Sequence, residues 1–194
     1  MKHVIVFSGS FNPIHVGHLI LANYVAAFTD CDEVWLMVSP HNPLKESSRL
    51  PDARLRYHWI QLALENHPKI LASDFEFSLS QPSYTLDMLN ALQQVYSNVR
   101  FSLLIGADNW SIFDQWKNYQ QLIDRYSLLI YPRVNATVDE SKLPDSVKLL
   151  KAPLVDLSST TIRTAIAEGK DMRFYVPSIV WHEINQLEMY RFTE

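Results

Sequence analysis

The chain has little cysteine, no excess of positive charge and no long apolar run. Cys31 is the one cysteine among 194 residues, which excludes an internal disulfide and fits a reducing compartment. The apolar run near the amino end stops before Ser8, and no run is long enough to cross a bilayer. We therefore expect a cytoplasmic protein with no membrane partner.

The charge balance argues against a general affinity for nucleic acid. There are 17 Lys and Arg against 21 Asp and Glu, for a net charge of −4 with neutral His. Because nucleic-acid binding depends on clustered basic residues, nucleic acid is not an expected partner. A polyanionic ligand must then be met by local charge, and the candidates are Lys45, Arg54, Arg56, Arg133, Arg163 and Arg173.

The alternation of apolar runs with helical patterns predicts a parallel sheet with crossover helices. Strands are predicted over 4–7, 34–38, 70–77, 99–105, 128–131 and 147–150. Helices are predicted over 16–28, from Asp52 to about residue 66, over 84–95, from Ser158 to Gly169, and from Pro177 onwards. With no repeat or linker, the prediction is one doubly wound, Rossmann-like α/β domain over 1–194, with a small C-terminal helical subdomain over 157–194.

Two of these helices have a predicted buried face. In the helix that begins after Asp52, spacing puts Leu55, Trp59, Leu62 and Ala63 on that face. In the helix that begins at Pro177, it comprises Val180, Ile184 and Leu187.

Two histidines, three residues apart, lie where the first strand gives way to the first helix. Residues 9–19 read GSFNPIHVGHL, so His15 and His18 share one face of the first helical turn. The first N–H groups of a helix have no intrahelical partner and its dipole is positive there, which favours an anion. Gly9 and Gly17 lack a Cβ where a phosphate would approach the main chain. The segment predicts a phosphate site.

Two other interpretations of the histidine pair remain. A histidine at a helix start is commonly a surface or capping residue. A pair at i and i+3 can also supply two of the ligands of a zinc site. Zinc takes three or four ligands, however, and Cys31 lies in a predicted turn well away from the pair.

A second positive helix end is predicted near the carboxyl terminus. Three hydroxyl residues, Ser158, Ser159 and Thr160, open a helix there, and Arg163 adds a fork of donors. By itself such a segment is usually only a helix cap.

The two motifs together resemble those of the nucleotidyltransferase superfamily, (H/T)xGH and Ile-Ser-Ser-Thr-x-Ile-Arg. This resemblance implies that His15 and His18 bind a triphosphate while its α-phosphorus undergoes direct displacement. It also implies that the Ser/Thr groups and Arg163 bind the β- and γ-phosphates. The ATP contacts expected on this basis are Gly9, Ser10, Phe11, His15, Gly17, His18, Gly106, Asp108, Ser158, Ser159, Thr160 and Arg163.

The middle of the chain is similar to one branch, nicotinate-nucleotide adenylyltransferase. The similar elements are Ser83-Tyr84-Thr85, Gly106-Ala107-Asp108 followed by Trp116, Arg56 with Leu62-Ala63, and Val176-Pro177. The similarity implies that Trp116 stacks on a pyridine ring and that backbone N–H groups around Thr85 receive a carboxylate. Contacts to nicotinate mononucleotide are expected at Ser10, Asn12, Lys45, Tyr84, Thr85 and Trp116.

Three positions depart from the family pattern. Asn12 replaces the usual Asp, and Leu44 stands where a His commonly precedes Lys45. Residues 131–133 read Tyr-Pro-Arg in place of Arg-Pro-Gly. The last departure leaves Arg133 unassigned, with a surface role favoured.

The predicted activity is transfer of the adenylyl group of ATP to nicotinate mononucleotide, within NAD biosynthesis. The expected catalytic residues are His15, His18, Lys45 and Arg163. Mg²⁺ is expected as a bridge between phosphates, held mainly by the nucleotide and water, because no carboxylate cluster resembles a protein metal site. Nicotinamide mononucleotide or phosphopantetheine as acceptor, a non-catalytic nucleotide sensor, and a homo-oligomer all remain open.

Overall fold

Six parallel strands form one sheet in the computed structural model, which describes residues 1–40 and 50–191. They are β1 (Lys2–Gly9), β2 (Glu33–Val38), β3 (Ile70–Ser73), β4 (Val99–Gly106), β5 (Ser127–Tyr131) and β6 (Val147–Leu149). Their order is β3-β2-β1-β4-β5-β6. The chain therefore winds outward in opposite directions from β1 and β4, and open sheets of this kind bind ligands in the crevice at the carboxyl ends of such a pair.

Seven α-helices are described: α1 (Val16–Phe28), α2 (Ala53–Leu64), α3 (Thr85–Val95), α4 (Ala107–Trp110), α5 (Tyr119–Arg125), α6 (Ser159–Ala167) and α7 (Ser178–Gln186). Short 3₁₀ turns cover Phe75–Ser78, Phe113–Gln115 and Glu140–Lys142. Within the described ranges, no helix is long and apolar enough to span a membrane.

Alternate residues of β1 contribute to two separate cores. Ile5 and Phe7 belong to the core that contains side chains of α1, α2, α6 and α7. Val4 and Val6 belong to the opposite core, with side chains of α3 and α5. Because both faces of the sheet are covered, the strands are nearly continuous apolar runs, as the sequence predicted. The helices of the predicted C-terminal part share the first core.

Two predictions about these elements are wrong. The predicted strand over 70–77 ends at Ser73, and the chain continues as a 3₁₀ turn that buries Glu76. A strand there would alternate its side chains across the sheet, whereas the turn brings the Glu76 carboxylate to Ser39 and Ser83. In α7, Val180 and Ile184 are buried as predicted, but Leu187 is 52% exposed because it lies beyond the last helical residue.

The buried face of α2 also differs from the prediction. Its fully buried side chains are Arg56, Trp59 and Ile60, while the predicted Leu55, Leu62 and Ala63 are only partly buried. Arg56 is a charged residue at a buried position, and its hydrogen bonds explain why it is tolerated there.

Arg56 joins the loops that follow β1 and β2 to the start of α2. Its guanidinium donates to the carbonyl oxygens of Ser10 at 2.6 Å, Ser39 at 2.9 Å, Pro40 at 3.2 Å and Pro51 at 3.0 Å. Its side chain is 0% exposed, and this burial lowers the pKa of the group. The bonds balance the cost of burying the charge and fix the two loops and the start of α2 to one another.

Substitution of Arg56 is expected to destabilise the protein strongly. Arg56→Met fills similar volume but leaves four carbonyl groups without these donors, so the free energy of unfolding should fall by about 3 kcal/mol. Arg54→Met, an equal charge change at an exposed position of the same helix, is the matched control. Urea denaturation of both variants checks this, and equal midpoints for the two would contradict it.

Candidate active site

His15 and His18 cap the amino end of α1 reciprocally. The main-chain N–H of His18 donates to Nδ1 of His15, and the main-chain N–H of His15 donates to Nδ1 of His18, each over 3.3 Å. The two rings stack with centroids 3.6 Å apart. Since Nδ1 of each ring is an acceptor, the neutral ring carries its proton on Nε2, where it can donate to an anion.

Two of the first main-chain N–H groups of α1, where the sequence predicts an anion site, already have partners within the protein. The N–H of Val16 donates to the carbonyl of Tyr175 at 3.0 Å, and that of His18 is used in the cap. Among the described residues the N–H of Gly17 has no partner, so the helix end offers an anion this N–H together with the imidazole rings. The capping interpretation of the histidines and the phosphate interpretation are thus compatible, because each uses a different nitrogen.

Glycine in this motif makes room for the rings. A Cβ on Gly17 would lie 3.0 Å from Nδ1 of His15, and a Cβ on Gly9 would lie 3.1 Å from Cζ of Phe11. The Phe11 ring in turn packs edge-on against His18, with centroids 5.0 Å apart. These contacts give the glycines a packing reason, and the approach of phosphate to the main chain stays a prediction.

The second motif is hydrogen-bonded directly to the first. Ser159 Oγ donates to the carbonyl of Pro13 at 3.0 Å, and Nη1 of Arg163 donates to the carbonyl of Asn12 at 2.8 Å. Ser158 caps α6 by accepting from the N–H of Thr161 at 3.1 Å. The two motifs, more than 140 residues apart in sequence, therefore form one wall of a single site.

Gly106 and Asp108 lie at the carboxyl end of β4, next to β1. A Cβ on Gly106 would collide with Oδ1 of Asp108 and would lie 3.0 Å from the Tyr131 ring. The glycine therefore lets Asp108 fold back over the strand end. Tyr131 is partly buried, and the desolvation of its hydroxyl raises the pKa of that group to about 12.

Three of the predicted acceptor residues, Tyr84, Thr85 and Trp116, lie at the start of α3 and shortly before α5. Tyr84 is the N-cap of α3, and Thr85 is its first residue. Nζ of Lys117 lies 3.9 Å from the centre of the Tyr84 ring. Trp116 packs against Phe113, with centroids 5.1 Å apart, and its indole N–H is buried with no hydrogen-bond partner among the described residues.

A cavity of about 1260 Å³ unites these groups. It is lined by every predicted ATP contact. It is also lined by five of the six predicted acceptor contacts, Ser10, Asn12, Tyr84, Thr85 and Trp116. Lys45 falls within 41–49, outside the described residues. Over 1–40 and 50–191, no three His, Cys, Asp or Glu side chains come together as metal ligands.

Two residues of this site, Glu76 and Tyr190, were missed by sequence reasoning, whereas Arg56 was named only as a candidate cation. Glu76 and Tyr190 line the cavity, and Arg56 holds its loops from behind. Burial raises the pKa of Glu76, and the hydrogen bonds from Ser83 and Ser39 oppose that rise. Tyr190 donates to Oδ1 of Asn12 at 2.6 Å. For Glu76 the available signal was a charged residue between two aromatic ones, Phe75 and Phe77. For Arg56 it was a charge at a buried position of a predicted helix.

Comparison with known proteins decides the family. The cytidylyltransferase-like family model matches residues 6–165. A relative from Bacteroides fragilis, named probable nicotinate-nucleotide adenylyltransferase, is 48% identical over 181 residues, which cover 93% of this chain and 90% of the relative. The chain belongs to the nicotinate-nucleotide adenylyltransferase family. A relative of the same name from Flavobacterium johnsoniae is 42% identical, covering 96% of this chain and 97% of its own.

Solved structures confirm the predicted Rossmann-like fold. The nicotinic acid mononucleotide adenylyltransferase of Plasmodium falciparum, complexed with NaAD, superposes with a TM-score of 0.84 at 21% identity. The match covers 100% of this chain and 99% of the Plasmodium chain. The same protein complexed with APC gives a TM-score of 0.83 at 20% identity.

The lowered pKa of His15 predicts that the stability of this nicotinate-nucleotide adenylyltransferase family member depends on pH. Burial, and secondarily the charge of Arg133, lower that pKa from 6.5 to about 4. The unfolded chain therefore binds a proton more readily than the folded one below pH 6.5, so stability falls as the pH falls from there towards 4. When the pH is lowered from 7.5 to 5, this difference should lower the free energy of unfolding by about 2 kcal/mol.

His15→Asn supplies the control, because Asn keeps an acceptor for the helix cap and does not titrate. Urea denaturation at both pH values should show a loss in the wild-type protein that is about 2 kcal/mol greater than in the variant. The same pH dependence in both proteins would mean that His15 titrates normally.

Proposed function

We propose that this protein transfers the adenylyl group of ATP to nicotinate mononucleotide, giving nicotinate adenine dinucleotide and pyrophosphate. The observation that carries the proposal is the direct hydrogen bonding of the two phosphate motifs at the β1–β4 crevice, through Arg163 to Asn12 and Ser159 to Pro13. The relatives named above carry the same activity in their names.

The reaction we propose is a direct displacement. A phosphate oxygen of the mononucleotide forms a bond to the α-phosphorus of ATP, and the bond from that phosphorus to the bridging oxygen of the β-phosphate breaks. The bonding electrons leave with pyrophosphate. Because the attacking phosphate is already ionised at pH 7, no general base is required, and the protein aligns the reactants and offsets the developing charge.

The residues take the following proposed roles. His15 and His18 donate from Nε2 to the α- and β-phosphates, and Arg163 with the hydroxyls of α6 faces the outer phosphates. Only part of the Arg163 fork is available for this, since Nη1 bonds to Asn12 and Nη2 to Thr160. Lys45, which lies outside the described residues, stays a proposed catalytic residue. Gly106 and Asp108 are placed at the ribose of ATP.

We propose that Mg²⁺ enters with ATP, carried by phosphate oxygens and water. Among the described residues that line the cavity, the carboxylates are Glu76 and Asp108, which belong to different proposed subsites, and Glu76 already accepts from Ser39 and Ser83. This donor set does not fit a protein-held Mg²⁺, and no step of the mechanism depends on one.

The contribution of His18 is tested by His18→Ala. Loss of the Nε2 donor should lower kcat at least a hundredfold, about 3 kcal/mol of transition-state stabilisation. His18 also stacks on His15, so the alanine variant should lose some stability. His18→Asn keeps an acceptor near the Nδ1 position and should lose activity equally while melting nearer to wild type. Near-normal kcat in the asparagine variant would exclude the proposed role.

The acceptor is tested by comparing nicotinate and nicotinamide mononucleotides. Backbone N–H groups near Thr85 suit a carboxylate, whereas a carboxamide turns its own donors toward them and leaves groups unpaired at a cost of about 1 to 3 kcal/mol. We expect kcat/KM in a pyrophosphate-release assay to favour the acid about ten- to hundredfold. Trp116→Ala should weaken both acceptors equally, because stacking does not depend on the ring substituent. Equal use of acid and amide by the wild type would contradict the assignment.

A further inference from the structure

Arg133, for which the sequence favoured a surface role, lies in the cavity instead. It follows β5, and its side chain is only 31% exposed. Nε lies 3.8 Å from Oδ1 of Asp108 at the end of β4. Its charge is also near enough to His15 to contribute to the lowered pKa of that ring. Arg133 is therefore close both to the proposed ribose site and to the histidine pair.

Local structure holds this residue at the cavity edge. Arg133 forms an isolated antiparallel bridge with Ala136, whose N–H donates to the Arg133 carbonyl at 3.3 Å. The centre of its guanidinium lies 6.0 Å from the centre of the Tyr131 ring. That ring is itself packed edge-on against Phe7 in β1, with centroids 5.8 Å apart. The main chain is thus fixed while the guanidinium reaches into the cavity.

The other described cations of the cavity already have partners within the protein, whereas the Nη atoms of Arg133 do not. Among the described residues that line it, the permanent cations are Lys117, Arg133 and Arg163. Lys117 lies over Tyr84 at the acceptor side, and Arg163 is bonded to Asn12 and Thr160. His15 is neutral at pH 7. In the part of the chain that the structure describes, neither Nη atom of Arg133 makes a hydrogen bond, so both can serve a ligand.

We propose that Arg133 binds the α- and β-phosphates of ATP, at the adenosine end of the triphosphate. This inference rests on the proposed function. A planar fork of two Nη donors matches two non-bridging phosphate oxygens, and its charge offsets part of the negative charge brought by two phosphorylated substrates. The contact to Asp108 orients the fork from its Nε side.

Isothermal titration with Mg·ATP and with adenosine tests the proposal on the intact protein. Arg133→Gln should weaken ATP binding about ten- to hundredfold and leave adenosine binding unchanged, because only ATP carries phosphates. Arg133→Lys keeps the charge without the fork and should show a smaller loss with ATP alone. Arg125→Gln, the same change at an exposed position in the last turn of α5, should bind both ligands like the wild type.

Two results would overturn the role of Arg133 while leaving the proposed function intact. One is ATP affinity unchanged in both Arg133 variants. The other is an equal loss of ATP and adenosine affinity, which would mean that Arg133 acts on the ribose through Asp108. A wild-type protein that binds ATP no more tightly than adenosine would instead overturn the proposed function itself, and the role of Arg133 with it. If the glutamine variant does not melt cooperatively, the lysine variant decides between these outcomes.

Discussion

The reciprocal bonds between His15 and His18 constrain the amino end of α1 and, through it, the whole phosphate side of the cavity. They consume Nδ1 of both rings, which leaves Nε2 as the donor that each neutral ring has for a ligand. Burial, and secondarily the charge of Arg133, lower the pKa of His15 to about 4 and keep the ring uncharged near neutral pH. The loop before the pair is fixed from the far end of the chain, since Asn12 bonds to both Arg163 and Tyr190.

Buried charge plays the corresponding part on the acceptor side. Arg56 donates to carbonyls of the loops that follow β1 and β2, and the Glu76 carboxylate accepts from Ser39 and Ser83. Each group carries a desolvation cost that its hydrogen bonds offset, so the geometry is stable only while all the partners are in place. The cavity therefore has rigid walls built from polar groups rather than from apolar packing alone.

The features that were predicted from the sequence are local or periodic. Helix α1 spans the predicted residues, and Asp52 and Ser158 are the N-caps that their residue types indicated. The features that were missed depend on which strands are neighbours. Arg133 reaches Asp108 only because β5 pairs with β4, and Val16 finds its acceptor in Tyr175, far along the chain. No periodicity carries that information, so the sequence favoured a surface role for Arg133 and did not indicate the partner of the Val16 N–H.

The stereochemical course at the α-phosphorus tests the central claim most directly. The enzyme is supplied with nicotinate mononucleotide and with ATP that carries sulfur at one defined non-bridging position of the α-phosphate, and the configuration of the dinucleotide product is determined. Direct attack by the mononucleotide in the crevice between β1 and β4 predicts dinucleotide with inverted configuration. Retention would mean two successive displacements through a covalent adenylyl-enzyme, and would contradict the account of His15 and His18 as phosphate donors alone.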